Sequence, residues 1–163
     1  MYCKGISTAG MSKVFSLAGL RLGWVAAPQD VTEKIMIHRD YDTISVGMLN
    51  DYFANIALEN ADSVLSRSRQ ITRENLAILE EWINNEPRVS WVKPRAGTTA
   101  MLKLDVPMTC REFCIDLIEK TGVMLTPGDA FEMEGYARIG YGNDRETLVA
   151  GLKELSGHLG DIG

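Results

Sequence analysis

A mixed α/β architecture is what this sequence predicts, on three observations. Segments with apolar residues at three- and four-residue steps interleave along the whole chain with short strand-like runs. Turns carrying Gly or Pro mark many of the junctions, at Pro28, Pro87, Pro94 to Gly97, Gly122 and Pro127-Gly128. The 163 residues, 45% apolar and 24% charged, are also enough to bury a core. No internal repeat or low-complexity segment is visible.

In chain order, Tyr2 to Thr8 predict the last part of a strand that delivers a loop containing Lys13. Arg21 to Ala27 predict the returning strand, closed by Pro28. Asp30-Val31-Thr32-Glu33 has capping-box spacing, which predicts a short helix running through Ile35 toward His38. Met48, Leu49, Tyr52, Phe53, Ile56 and Ala57 recur at helical steps, with a break near Glu59 to Ala61. From Asp62 to Asn85 one uninterrupted helical pattern sets Val64, Leu65, Leu76, Leu79 and Ile83 near one face. Arg67, Arg69, Arg73, Glu74, Glu80 and Glu81 form its solvated face, and Glu86-Pro87 ends it.

Val89 to Leu104 alternates weakly around the turn Lys93-Pro94-Arg95-Ala96-Gly97, as two strands do. Thr109-Cys110-Arg111-Glu112 is a second capping box, opening a helix to Thr121 that Gly122 stops. A short strand over Val123 to Thr126, a turn-rich loop over Thr126 to Phe131 and a strand over Tyr136 to Tyr141 follow. Asn143-Asp144-Arg145-Glu146 then opens a final helix with Leu148, Leu152, Leu155 and Leu159 as its buried stripe.

Charge and composition narrow the partners. With 17 basic and 22 acidic residues the net charge is −5, which argues against a nucleic-acid or anionic-membrane surface. Apolar runs such as Leu20 to Pro28 are too short to span a bilayer, and the first residues lack signal-peptide character, so the expected location is cytoplasmic. Three cysteines are too few for a disulfide framework. Cys110 and Cys114, four apart with Phe113, Leu117 and Ile118 on one helical stripe, read as packed thiols. His38 and His158 lie far from them on what read as helix surfaces, so no metal site is expected.

The chemistry concentrates in Gly10-Met11-Ser12-Lys13-Val14-Phe15-Ser16-Leu17-Ala18-Gly19-Leu20-Arg21-Leu22-Gly23. A lysine beside Ser12 and an apolar run can be desolvated, and desolvation makes an amine a better nucleophile toward carbonyls. Arg21 adds a planar, permanently charged fork suited to phosphate or carboxylate. Each residue alone also reads blandly, as a turn cap or a surface cation.

The stretch resembles, position by position, the cofactor-attachment segment of the class I/II aminotransferases, the fold type I enzymes that use pyridoxal phosphate (PLP). Lys13, Arg21 and Gly23 fall where that pattern places the Schiff-base lysine, the arginine and the glycine. The resemblance implies the C-terminal part of a PLP-dependent transferase fold: residues 1–60 as the end of the large domain, 61–86 as a connecting helix and 87–163 as the small α+β domain. It implies that Lys13 holds the cofactor and moves protons, that Ser12 and Arg21 contact its phosphate, and that Arg138 in Ala137-Arg138-Ile139-Gly140 pairs with the substrate's α-carboxylate. An arginine pointing out from an edge strand is the alternative for Arg138. Asp129 and Tyr136 read as loop and sheet residues, and Trp24, Trp82 and Trp91 as core.

The implied substrates are an amino acid and a 2-oxo acid, and the implied assembly is a homodimer. Family members are more than twice this length, and their Asp, Tyr and Asn that bind the pyridine ring lie upstream of the lysine. Such a C-terminal portion is therefore expected to be inactive alone. One position departs from the pattern: Gly10 stands where the family often has a phosphate-binding serine, and Thr8 or Ser7 could compensate. Elimination, decarboxylation or a cyclising synthase reaction shares the same lysine and arginines, and a non-catalytic remnant acting as a binding module is the reading from another class.

Overall fold

In the computed structural model, residues 4–162 are described. The chain divides into two compact units, Met1–Arg69 and Gln70–Gly163.

In the first unit, β1 (Ser7–Gly10) and β2 (Gly23–Ala26) form an antiparallel pair in the register Ser7 to Ala26 and Gly10 to Gly23. The returning strand is shorter than expected, because Arg21 takes a left-handed conformation (φ 48°) that no strand allows. The part of the first expected strand that falls on residues 1–3 lies outside the described residues. Helix α1 (Gln29–Arg39) follows, then α2 (Met48–Glu59) and α3 (Ala61–Asn85), whose length carries it across the unit boundary.

Helix α1 begins without the expected capping box. Pro28 is its N-cap, and the Pro28 carbonyl accepts from Val31 and Thr32 N–H at 3.1 and 3.0 Å. Glu33 is turned away from the N-terminus by a bond from Gln29 Nε2 (2.9 Å), and Asp30 lies inside the first turn. A proline just before a helix supplies the right φ without spending a donor, which makes the side-chain cap unnecessary.

The second unit is built on a four-stranded antiparallel sheet in the order β3-β4-β6-β5, from β3 (Val89–Trp91), β4 (Thr99–Leu104), β5 (Thr126–Pro127) and β6 (Tyr136–Gly140). Ala100, Leu102 and Leu104 of β4 and Ala137 and Ile139 of β6 alternate inward, the period of a sheet with one covered face. Against them pack Leu79 and Ile83 of α3, Phe113, Cys114 and Leu117 of α4 (Cys110–Thr121), and the expected leucine stripe of α5 (Arg145–Asp161). Each fully buried leucine contributes about 2 kcal/mol.

The ends of α4 and α5 are held as the sequence predicts. Thr109 and Glu112 complete the capping box of α4, Gly122 closes it at φ 76°, and Asp144 caps α5 through Thr147 N–H at 2.9 Å. Helix α4 exposes Ile118, which leaves the stripe to Cys110, Phe113, Cys114 and Leu117. The strand expected over Val123 to Thr126 starts later, because Gly122 turns the chain and Val123 N–H bonds back to Thr121 Oγ1 (3.1 Å).

Two buried polar residues stand out. Asn75 of α3 is fully buried, and its Nδ2 donates to the carbonyls of Tyr141 (3.0 Å) and Asn143 (2.7 Å), tying the helix to the turn after β6. His158 is buried rather than on the helix surface. Its position three residues after Leu155 puts it on the apolar stripe, against the Phe113 ring and with Nε2 3.2 Å from Asp116 Oδ2. Trp82 and Trp91 pack against this core, whereas Trp24 on β2 is exposed. Among the described residues no helix is long and apolar enough to cross a membrane, and no group of His, Cys, Asp or Glu could hold a metal ion.

Both described cysteines are buried free thiols. Burial, then the negative charge of Cys110 and Asp129, pushes the Cys114 thiol up to about 11, and Cys110 is raised by burial and by Asp129 and Glu134. At pH 8 a thiol reagent should therefore leave both unlabelled in the native protein and label both after denaturation, read by peptide mass mapping. The sign for stability follows from the raised folded value. The contribution is whole below the unfolded value of 9.0 and is lost as pH rises toward 11, since only the unfolded chain then ionises.

Candidate active site: the Lys13 loop and the Arg138 strand

The loop between β1 and β2 is closed by its own backbone. Met11 N–H donates to the Leu22 carbonyl (3.0 Å), Leu17 N–H to the Met11 carbonyl (3.0 Å) and Ser16 N–H to the Lys13 carbonyl (3.1 Å), so the lysine sits at the head of a tight turn. A short 3-10 turn (Ala18–Leu20) leads to Arg21, whose Nη1 donates back to the Ala18 carbonyl at 2.9 Å. Ser16 and Arg21 both hold a positive φ, 57° and 48°.

Apolar packing fixes this loop from one side. Met11 is wholly buried with Ala54 and Ala57 of α2, and Phe15, Leu17, Leu20 and Leu22 pack around them. That arrangement corrects the expectation of a desolvated lysine. Met11 and Phe15 pack toward α2, Val14 is exposed, and Lys13 is exposed as well, with no ion pair among the described residues. Ser12, half-buried, and Arg21, exposed, share the loop with it. What results is an exposed amine, a hydroxyl and a guanidinium on a loop closed by its own backbone hydrogen bonds.

Glycine is required where the strands meet. A Cβ on Gly23 would lie 2.8 Å from the Ala9 carbonyl oxygen, and one on Gly10 would lie 3.3 Å from that of Leu22. The approach thus excludes a side chain at position 23 and is tight at position 10. Thr8 falls on the Gly10 face of β1 by strand alternation, and Ser7 on the opposite one.

Arg138 belongs to the second unit. It lies on β6, which is flanked by β4 and β5 and so is not an edge strand. Its neighbours Ala137 and Ile139 are buried, so strand alternation aims Arg138 at the other face of the sheet. Nη2 donates to Thr126 Oγ1 (3.3 Å), and the guanidinium lies over the Phe131 ring, 4.8 Å from its centroid. No carboxylate of the described residues pairs with it.

The contacts of Phe131 and Thr126 with Arg138 were not legible in the sequence; the one signal is that both border the turn-rich loop. That loop is a 3-10 turn (Gly128–Phe131) pinned by Arg111 Nε, which donates to Asp129 Oδ2 at 2.6 Å. Asp129 Oδ1 is buried without a partner. Tyr136, half-buried, opens β6 and is a sheet residue, as read from the sequence.

Comparison with known proteins identifies the family. The chain matches the class I and II aminotransferase family over residues 2–155. It is 32% identical over 156 residues to capreomycidine synthase of Streptomyces vinaceus, covering 95% of this chain and 40% of that protein. Aromatic-amino-acid aminotransferase 2 of Thermococcus litoralis is 30% identical over 161 residues, covering 95% of this chain and 41% of that protein. A PLP-dependent aminotransferase from Streptococcus suis superimposes with a TM-score of 0.97 at 42% identity, over 99% of this chain and 43% of that one. The PLP-dependent cyclase OrfR does so with a TM-score of 0.91 at 32% identity, over 97% of this chain and 44% of that one. The chain spans about 40% of the length of the curated relatives it matches and corresponds to the C-terminal part of the solved structures. On the match over residues 2–155, it belongs to the class I and II aminotransferase family.

Proposed function

We propose that this chain is the C-terminal part of a PLP-dependent enzyme that transfers an amino group between an amino acid and a 2-oxo acid. The observation that carries the proposal is the accessible Lys13 amine on a loop that also holds Ser12 and Arg21. This donor set fits the cofactor: an amine for its aldehyde, a hydroxyl and a guanidinium for its phosphate. When bound, PLP supplies the carbonyl for attachment and a ring that accepts an electron pair from the substrate.

The chain's own residues then divide the work. Ser12 would donate its hydroxyl to a phosphate oxygen, and Arg21 would neutralise phosphate charge. Lys13 Nζ would hold the cofactor's aldehyde and would take the proton from the substrate's α-carbon as general base. Arg138 receives the substrate's α-carboxylate through in-plane N–H groups.

The same proposal divides the chain into a large-domain remainder (1–60), a connecting helix (61–86) and a small domain (87–163). It makes the full-length enzyme a cytoplasmic homodimer. It also makes these residues inactive alone, because the family's ring-binding Asp, Tyr and Asn precede the lysine.

A cyclising reaction is the second reading, favoured by the 32% identity to a synthase and the 32% identity to a cyclase. Product analysis of the full-length enzyme separates the two. The test of the shared core is borohydride reduction after addition of PLP to the full-length protein. A stable adduct confined to Lys13 is expected. Labelling scattered over surface lysines would overturn the proposal in favour of a non-catalytic binding module.

A further inference from the structure

We propose that Phe131 and Thr126 are positioning residues that hold the Arg138 guanidinium in place for a substrate carboxylate; this rests on the reading of Arg138 as the carboxylate-binding residue. The Arg138 guanidinium carbon lies over the Phe131 ring, 4.8 Å from its centroid, and Thr126 Oγ1 accepts from Nη2 at 3.3 Å. The ring on one side and the hydrogen bond restrict where the guanidinium can go while taking up only one of its N–H donors, and an arginine binds a carboxylate with the donors left free. The remaining edge donors have no carboxylate partner among the described residues.

The ring is itself held. Phe131 closes the 3-10 turn that begins at Gly128, and the Arg111 to Asp129 ion pair at 2.6 Å fastens that turn to α4. Met133 N–H donates to the Gly128 carbonyl (2.9 Å) and Glu132 N–H to that of Asp129 (3.1 Å), so the turn folds back onto itself before β6. Phe131 remains exposed at 42%, so the ring is within reach of a ligand at Arg138. A long, flexible arginine side chain loses much rotamer freedom on binding, and a guanidinium already held by a ring and a hydrogen bond loses less at that step.

The test uses the full-length enzyme, the standard L-amino acid of highest turnover and that amino acid's α-carboxamide, which lacks the anion. Phe131→Leu should raise KM for the acid about five-fold with kcat little changed, should leave the carboxamide's kinetics unaltered, and Phe131→Tyr should restore KM. Thr126→Val should raise KM for the acid in the same direction, and it carries the test alone where Phe131→Leu does not fold. An unchanged KM for the acid, or an equal effect on acid and carboxamide, overturns the inference. Arg138→Ala separates the two levels. It should raise KM for the acid about 100-fold. If it does not, the reading of Arg138 fails. If it does while Phe131→Leu and Thr126→Val have no effect, only the positioning role fails.

Discussion

Lys13→Arg in the full-length enzyme should abolish turnover, with kcat falling at least about 10³-fold, the range lost when a positioned general base is removed. The charge at position 13 survives the change, and so does most of the side chain's reach. What disappears is the amine that can give up its proton: a guanidinium stays protonated at any workable pH and forms no covalent bond with an aldehyde. A role limited to neutralising an anion would tolerate arginine well, so the variant separates covalent chemistry from electrostatics. Lys4, exposed just before β1, is the control, and Lys4→Arg should leave turnover as it was. Steady-state kinetics with an amino acid and 2-oxoglutarate check both. Residual activity above about a tenth of the parent's would remove Lys13 from the chemistry.

Gly128→Ala should cost about 3 kcal/mol or more of the second unit's stability. A Cβ at Gly128 would overlap the Met133 carbonyl oxygen and lie 2.5 Å from that of Tyr136. Both obstacles are backbone, and both are held: Met133 N–H bonds to Gly128, and Tyr136 begins a strand paired with β4. No rotamer change relieves the clash. For a chain of this size the loss corresponds to a fall in Tm of roughly 10 °C, readable by thermal unfolding. Gly151 within α5 has nothing within 4 Å of the same hypothetical atom, so Gly151→Ala should hold or raise Tm. Equal melting of the two variants would mean that the 3-10 turn has room that its geometry denies.

How much of this was legible in the sequence depended on whether the determinant was local. Thr109 and Glu112 bond within one turn, and the Leu148, Leu152, Leu155, Leu159 stripe repeats within one helix, so both were read correctly. Asp30 to Glu33 has the same spacing as a capping box, but Gln29 captured Glu33 and Pro28 started the helix. Spacing alone does not reveal such competition between neighbours. Asn75 left no trace, because its two carbonyl partners lie 66 and 68 residues along the chain. Lys13, Ser12 and Arg21 were singled out by a dense motif, yet the direction taken by Met11 and Phe15 was misjudged. A hydrophobic side chain near a lysine says nothing of which side it packs on until α2 is in place.

The left-handed backbone at Arg21 bears on how this site ages. A non-glycine residue at φ 48° carries a cost of order 1 kcal/mol that glycine would not. Mutation to glycine is thus rewarded by folding and, on the proposed role of Arg21 at the phosphate, punished by function, since Arg21 is the one guanidinium between β1 and β2. A lineage that no longer needs the phosphate fork should drift toward glycine or asparagine here, whereas a lineage under selection keeps the strained arginine. The residue at this position therefore serves as a record of use, and a screen for thermostability alone would tend to erase it.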